Sequence, residues 1–203
     1  MSKLSDNNLK RPVFFEISEQ SLTFLAGYGL ISIAFEIKSI LELSRSSNEI
    51  DGFTFRERHL TKPYTKDYDS IKGNRPADWL DKFDMANWGI LKASVENIDV
   101  GGAVIAYKTE NLHLLDDRDD LAVLWDIRVS PEWRGKGIGS ALFEECAIWA
   151  RLRGCRQLKI ETQNINVAAC KFYQSHGCEL GAINRFAYPE LPNEIQLLWY
   201  KNL

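Results

Sequence analysis

The sequence has no C-x-x-C pair, no clustered histidines, no basic tract and no apolar run long enough to cross a membrane. Each absence removes a class of function. Four cysteines, at 146, 155, 170 and 178, all lie in the second half and lack zinc-site spacing. Cys146 and Cys170 fall on apolar helix faces and read as buried free thiols in a reducing cytoplasm. His59, His113 and His176 are too scattered to hold a metal, so none is expected. A net charge of -3 and a pI near 5.7, with Lys and Arg spread along the chain, argue against nucleic acid as a partner. The longest uncharged stretch, Ser21 to Phe35, is too short for a bilayer. Met1-Ser-Lys-Leu-Ser-Asp puts no apolar core behind its basic start, unlike a signal peptide. Internal repeats and low-complexity tracts are missing as well.

What is present is a globular composition: 203 residues, 45% hydrophobic and 26% charged, enough to bury a full core in one domain. The organising stretch is Leu121 to Ala150. Leu121-Ala-Val-Leu-Trp-Asp-Ile-Arg-Val129 is short, apolar and rich in β-branched and aromatic residues, which predicts a buried strand. Ser140 to Ala150 carries apolar residues at 142, 143, 146, 147, 149 and 150, which predicts a helix packed along one side. Between them stands Trp133-Arg-Gly-Lys-Gly-Ile-Gly-Ser140. A glycine-rich turn from strand to helix presents backbone N–H groups at the positive end of the helix dipole, a site for phosphate oxygens. Gly135, Gly137 and Gly139 leave no Cβ to hold an anion away, and Arg134 and Lys136 add positive charge.

The glycines alternate directly after Arg134, which matches neither G-x-G-x-x-G nor the G-x-x-x-x-G-K-[ST] P-loop. Arg134-x-x-Gly137-x-Gly139 resembles instead the pyrophosphate loop of the GNAT superfamily of acyl-CoA N-acyltransferases. Downstream, Glu161-Thr-Gln-Asn-Ile-Asn166 leads into Val167-Ala-Ala-Cys-Lys-Phe-Tyr173. The family's next motif is a strand followed by Asn-x-x-Ala-x-x-Phe-Tyr on a helix. Asn166, Ala169, Phe172 and Tyr173 fall on those positions without a gap. Gly177 stands where the family has Gly-Phe, with Cys178 in place of the Phe. The resemblance covers roughly Trp88 to Leu203, and Glu161-Thr-Gln-Asn-Ile-Asn is similar to the streptothricin acetyltransferases in particular.

In chain order, residues 1–12 are polar and expected to fray. Val13 to Ile17 reads as a short strand. Ile31, Ile33, Phe35 and Ile37 alternate on one face, continuing to Leu41 and Leu43, as a second strand. Asn48 to Gly52 is turn chemistry, with Phe53 to Leu60 as the hairpin partner. Pro63 to Pro76 is expected as a loop carrying Tyr64, Asp67 and Tyr68, and 77–83 as a helical turn or two. Trp88 to Val95 and Val100 to Lys108 form a hairpin across Glu96 to Asp99. A polar connection ends in Asp116 to Asp120, a solvated run with steering of a cationic acceptor as the weaker reading. Arg151-Leu-Arg-Gly154 closes the central helix with basic residues and a glycine. Strands over 157–162, 182–187 and 194–200, with a helix over 167–176, complete an α/β chain with a mixed sheet. The resemblance implies more. It implies a GNAT-type, mostly antiparallel sheet splayed around the acyl-CoA site and flanked by helices. It also implies one domain over 1–203, with 1–86 as a divergent acceptor-side portion and 87–203 as the acyl-CoA-binding core.

The same resemblance implies acetyl-CoA as co-substrate and an amine as acceptor. The pyrophosphate is then held by the backbone of Gly135, Lys136, Gly137, Ile138, Gly139 and Ser140, with Arg134. The pantetheine arm lies along backbone atoms around Ile127, Arg128 and Val129, where an N–H can steady the developing oxyanion. Asn166 caps its helix and bonds the CoA arm. An alkylammonium, with a pKa of about 10, must lose a proton before it can attack. Glu161, at the cleft end of its strand, matches the glutamate base of some ribosomal-protein N-acetyltransferases; holding a cationic acceptor is the other role open to it. Strand alternation puts Asp126 opposite Trp125, Ile127 and Val129, hence structural. Tyr173 aligns with the general acid that protonates the leaving thiolate, while Phe172 is core.

The expected activity is acetyl transfer to a primary amine of a small molecule, on the resemblance a streptothricin-like antibiotic. No nucleic acid or membrane partner is expected, and a homodimer is compatible with the reading. Acetylation of a protein N-terminus or lysine is one alternative. A non-catalytic acetyl-CoA-binding regulator is another, disfavoured by an intact loop together with Tyr173.

Overall fold

The computed structural model describes residues 13–45 and 52–203, so the fraying expected for 1–12 and most of the turn expected at 48–52 lie outside the described residues. The chain runs β1 (Glu16–Gln20), α1 (Leu25–Tyr28), β2 (Phe35–Arg45), β3 (Phe53–Lys66), β4 (Gly89–Val95), β5 (Ile98–Ala106), β6 (Leu121–Val129), α2 (Ile138–Leu152), β7 (Gln157–Gln163), α3 (Val167–Ser175), β8 (Glu179–Asn184) and β9 (Gln196–Asn202). Seven strands form one sheet in the order β1-β4-β5-β6-β7-β9-β8, antiparallel except at β6–β7. β2 and β3 pair separately as an antiparallel hairpin. This is the mixed, mostly antiparallel α/β architecture expected.

Two cores sit on opposite faces of the sheet. On one, α2 buries all six of the apolar positions its periodicity singled out, packed with Ala122, Leu124, Leu158 and Ile160 of β6 and β7. On the other, Leu25, Tyr28, Trp79 and Trp88 cluster with Val123 and the ring of Trp125. Fully burying a large apolar side chain is worth about 1.5–3 kcal/mol, so these two clusters fix the sheet from both sides. All four cysteines are free and buried, and burial pushes the Cys146 thiol well up.

The N-terminal portion departs most from expectation. Residues 63–66 belong to β3 rather than to a loop. The β2–β3 register jumps from Ile37↔Tyr64 to Ser39↔His59, so the chain around Pro63 bulges where no ladder N–H is needed. Ile31 and Ile33 precede β2, and Ile31 joins the second core instead. β8 begins at Glu179, three residues before its expected start. Asn164, just past β7, accepts from Leu41 N–H through its own carbonyl and donates from Nδ2 to Leu41 O at 3.0 Å. Its Oδ1 accepts from Ile195 N–H at 2.8 Å, and its N–H donates to Ile195 O. The side-chain amide thus pairs like a second peptide unit, joining the hairpin to the main sheet.

The decisive feature is a split. β6 and β7 pair from Leu121↔Gln157 only as far as Leu124↔Ile160. Beyond that point β6 stays with β5 through Gly101↔Val129, and β7 stays with β9 through Gln163↔Gln196. The two strands therefore diverge into a V. A β-bulge starts the divergence: the register shifts between Val104↔Asp126 and Ile105↔Leu124, leaving Trp125 as the extra residue. The bulge corrects the expected alternation. Trp125 packs with Trp79, Phe83 and Trp88 on the second-core face, whereas Ile127 and Val129 pack on the α2 face.

Candidate active site

The first rim of the V is the loop before α2. Gly135 and Gly137 have φ of +72° and +88°, and a Cβ added at either would meet nothing within 4 Å. Glycine is needed for the backbone angle, and the space around it is open. α2 has no side-chain cap, and its first bond runs from Ala141 N–H to Gly137 O at 3.0 Å. The N–H groups of Ile138, Gly139 and Ser140 have no protein partner among the described residues. An uncapped 15-residue helix behind an open glycine turn fits a pyrophosphate. Lys136 lies over the Trp133 ring at 4.2 Å. Arg134 is already engaged: Nε donates to Val129 O at 2.8 Å, and Nη2 donates to Ala34 O at 2.9 Å and Ser32 O at 3.2 Å.

The register of β6 decides which amides line the gap. Ser130 N–H donates to Val100 O at 2.8 Å, so in an antiparallel ladder Arg128 also turns its backbone groups toward β5. Ile127 and Val129 turn theirs away, into the V. Arg128 is therefore corrected as a site for the pantetheine arm. Its guanidinium is fully buried on the second-core face, 4.7 Å from the Tyr28 ring. Nη1 and Nη2 donate to Asp69 at 2.8 and 3.3 Å, Nε and Nη2 to Asp126, and Nη1 to Ile31 O. Burial opposes its charge, but Asp126 and Asp69 keep it protonated. Tyr28 donates to Asp126 at 2.8 Å. The ring reaches that seat because Gly102 faces it: a Cβ there would stand 2.8 Å from Tyr28 and 2.6 Å from Leu91 O.

Tyr173 occupies the α2 face of the gap. Its ring packs against Phe172 and Phe143, with centroids 5.2 and 5.6 Å away, and the residue is only 5% exposed. No hydrogen bond holds its hydroxyl among the described residues, yet no fully buried side-chain polar atom there lacks a partner. The oxygen therefore touches open space while the ring is core. Burial, with Asp126 among the nearby groups, pushes the phenol up and keeps it protonated. Phe172 is half-buried against the first core, its ring tilted 38° to that of His176 with centroids 4.2 Å apart. Asn166 accepts from Ala169 N–H at 3.1 Å as a helix cap.

Glu161 is the first β7 residue past the last β6–β7 pair, and it faces away from Ile160 and the first core. Its Oε1 accepts from Tyr188 at 2.6 Å and its Oε2 from Gln196 at 2.7 Å, both neutral donors. Gln163 Nε2 donates to the Tyr188 oxygen at 2.9 Å. Tyr68 donates to Gln163 Oε1 at 2.7 Å and lies 3.2 Å from Glu194 Oε2. Glu194 is paired with Lys66. Burial raises both phenols, with Glu194 adding at Tyr68 and Glu161 at Tyr188, so both keep their protons. Tyr68 and Asp69 are neighbours in one 3-10 turn (Tyr68–Ser70), one bonded to β7 and the other to Arg128 of β6. That turn bridges the V. Sequence reasoning reaches Tyr68 only as a loop residue and misses Asp69, Gln163, Tyr188 and Glu194; the available hint is tyrosines near acids in polar connections.

The acidic run lies at the other end of the sheet. Asp116 pairs with Lys159 at 2.8 Å and Asp120 with Arg118 at 2.8 Å, ahead of the N-terminal end of β6. It does not face the gap. Among the described residues no group of His, Cys, Asp and Glu is placed to hold a metal, and no helix is long and apolar enough to cross a membrane.

A V between parallel strands, with an open phosphate loop on one face and a carboxylate on the other, defines an acyl-CoA-dependent N-acyltransferase. The profile of the Acetyltransferase (GNAT) family matches residues 48–178, and the chain belongs to that family of acetyl-CoA-dependent N-acetyltransferases. Streptothricin acetyltransferase A of Bacillus subtilis (strain 168) is 31% identical over 155 residues, 73% of this chain and 79% of the relative. A provisionally assigned streptothricin acetyltransferase of Bacillus anthracis str. Ames, solved in complex with acetyl coenzyme A, is 25% identical with a TM-score of 0.72. That match covers 94% of this chain and 100% of the other. Nourseothricin acetyltransferase has a TM-score of 0.72 at 21% identity, covering 93% and 98%, a likeness of fold.

Proposed function

We propose that this protein transfers the acetyl group of acetyl-CoA to a primary amine of streptothricin or a similar cationic small molecule. The observation that carries the reading is the Glu161 carboxylate, held where the V opens by two neutral donors, with no cation paired to it among the described residues. The Bacillus subtilis relative supports the acceptor, and the acetyl coenzyme A complex of the Bacillus anthracis protein supports the donor. Two carboxylates, Asp69 and Asp126, share the single guanidinium of Arg128, so this face carries excess negative charge that favours a cationic amine.

On this reading the roles divide between the two faces. The amides of residues 135–140 take the pyrophosphate, with charge from Arg134 and Lys136. The amides of Ile127 and Val129 line the pantetheine path, and an N–H there steadies the carbonyl oxygen as it gains charge. The side-chain amide nitrogen of Asn166 bonds the same arm. Glu161 removes one proton from the ammonium, and the neutral nitrogen forms its bond to the thioester carbon. The carbon–sulfur bond breaks as Tyr173 gives its proton to the departing sulfur, and the second proton that the nitrogen sheds in becoming an amide passes through solvent to restore the Tyr173 phenol. Residues 1–86 supply the acceptor side of the cleft, where Asp69 adds negative charge, and 87–203 supply the donor side, in a cytoplasmic enzyme. The test is release of free thiol from acetyl-CoA in the presence of streptothricin, with acetylated product read by mass. Turnover on a peptide amine but not on streptothricin would move the acceptor to protein; tight CoA binding without turnover on any amine would leave a regulator.

A further inference from the structure

We infer that Tyr68 is a positioning residue for Glu161, acting through Gln163 and Tyr188 by fixing the direction in which their hydrogen bonds run. The inference rests on the reading of Glu161 as the base. Each phenol has one proton, and a glutamine amide has one accepting end and one donating end. Tyr68 donates to Gln163 Oε1 at 2.7 Å, which turns the amide so that Nε2 faces Tyr188. Tyr188 accepts there at 2.9 Å and directs its only proton to Glu161 Oε1 at 2.6 Å. With Gln196 on Oε2, both carboxylate oxygens are held.

The same heavy atoms admit the reverse chain. If Tyr68 gives its proton to Glu194 Oε2, the Gln163 amide turns over, donates to Tyr68 and accepts from Tyr188. Glu161 then faces the Tyr188 oxygen with no proton between them, which is repulsive at that separation, and the carboxylate swings away. Lys66 sets the bias. Its ammonium pairs with Glu194 and weakens that carboxylate's pull on the Tyr68 proton, and it also stands 5.0 Å over the Tyr68 ring. The separations agree, with the Tyr68 oxygen 2.7 Å from Gln163 and 3.2 Å from Glu194. Tyr68 itself is held from below: the Asp67 side chain accepts from Asp69 N–H at 3.0 Å, and Asp69 is anchored on Arg128. A residue of the N-terminal portion thereby fixes the orientation of a carboxylate on β7.

The experiment uses the full chain with Tyr68→Phe and Lys66→Met, and two readouts. The first needs no substrate: the low-field proton resonance of the Tyr188 hydroxyl, assigned by its loss in Tyr188→Phe. Tyr68→Phe should move it upfield or erase it, and Lys66→Met should do so in part. An unmoved resonance in a folded Tyr68→Phe protein overturns the inference. The second is turnover with acetyl-CoA and streptothricin. Tyr68→Phe should lower kcat roughly tenfold with little change in KM, about the rate equivalent of one hydrogen bond. In a Glu161→Gln background the same change should add nothing. An undiminished effect in that background means that Tyr68 acts elsewhere, and sinks the inference while leaving the base role standing. If Glu161→Gln alone turns over like wild type, both readings fall together. Should Tyr68→Phe not fold, Lys66→Met carries both readouts.

Discussion

The two faces of the β6–β7 split are built by different means. On the α2 face the proposed working parts are mostly backbone, the amides of residues 135–140 and those of Ile127 and Val129, with Tyr173 as the one side chain proposed to react. They come from two nearly continuous stretches. On the opposite face the proposed site is built from bonded side chains, Tyr28, Asp69, Asp126, Glu161 and Tyr188 among them, drawn from separate segments of the chain. A backbone site needs only a strand, a turn and a helix in the right order. A side-chain site needs every contributing segment to be in place.

That contrast can be broken or sharpened by substitution. The largest effect is expected at Gly137→Glu. A side chain at φ +88° is strained, and its carboxylate would repel the pyrophosphate, so acetyl-CoA binding should vanish in calorimetry. Equal affinity in that variant would remove the phosphate-loop assignment. Tyr173→Phe comes next, with kcat down roughly ten- to a thousand-fold and CoA affinity little changed. A kcat equal to wild type would make Tyr173 packing alone. On the side-chain face, Arg128→Met leaves Asp69 and Asp126 without their shared cation. Breaking such a buried pair costs about 3–5 kcal/mol, read as a lower urea midpoint, and turnover should fall with it as the 68–70 turn loosens. A stability close to wild type would mean that the turn is held by other contacts.

The smallest effect is expected far from both faces, at Arg118→Met. A hydrogen bond from Arg118 holds the Asp120 carboxyl below its ordinary range. That contribution is present above the unfolded carboxylate range and lost as pH falls through the lowered folded value. Kinetics should be unchanged and stability nearly so at neutral pH, with the variant and wild type converging in acid. Divergence in acid would assign the pair another role.

The same division governs what could be read from sequence. β6 falls on Leu121–Val129 as expected, because its apolar run and the glycines after it are local signals. The split between β6 and β7 is foreseen only through family resemblance, since nothing in either strand's composition says where pairing stops. The phase of side chains beyond Trp125 is misread because a bulge is set by the pairing with β5, not by the strand's own pattern. Pro63 suggests a loop, yet it sits in a hairpin bulge where its missing N–H costs nothing. Tyr68, Gln163 and Tyr188 are legible as residue types and illegible as a network. Gln163 closes β7, Tyr188 lies in the β8–β9 connection, and the two meet only after the sheet has formed.

Asn164 gives the arrangement its alignment. Its side-chain amide and its peptide both form paired bonds, one set to Leu41 and one to Ile195, so it works as a dowel between parts made separately. The hairpin ends at Lys66, and the turn bearing Tyr68 and Asp69 follows directly. Aspartate in place of Asn164 would keep the shape and lose the Nδ2 donor, turning a fixed joint into a hinge. The hairpin that leads into the Tyr68 turn is thus tied to the main sheet by a residue outside the proposed site.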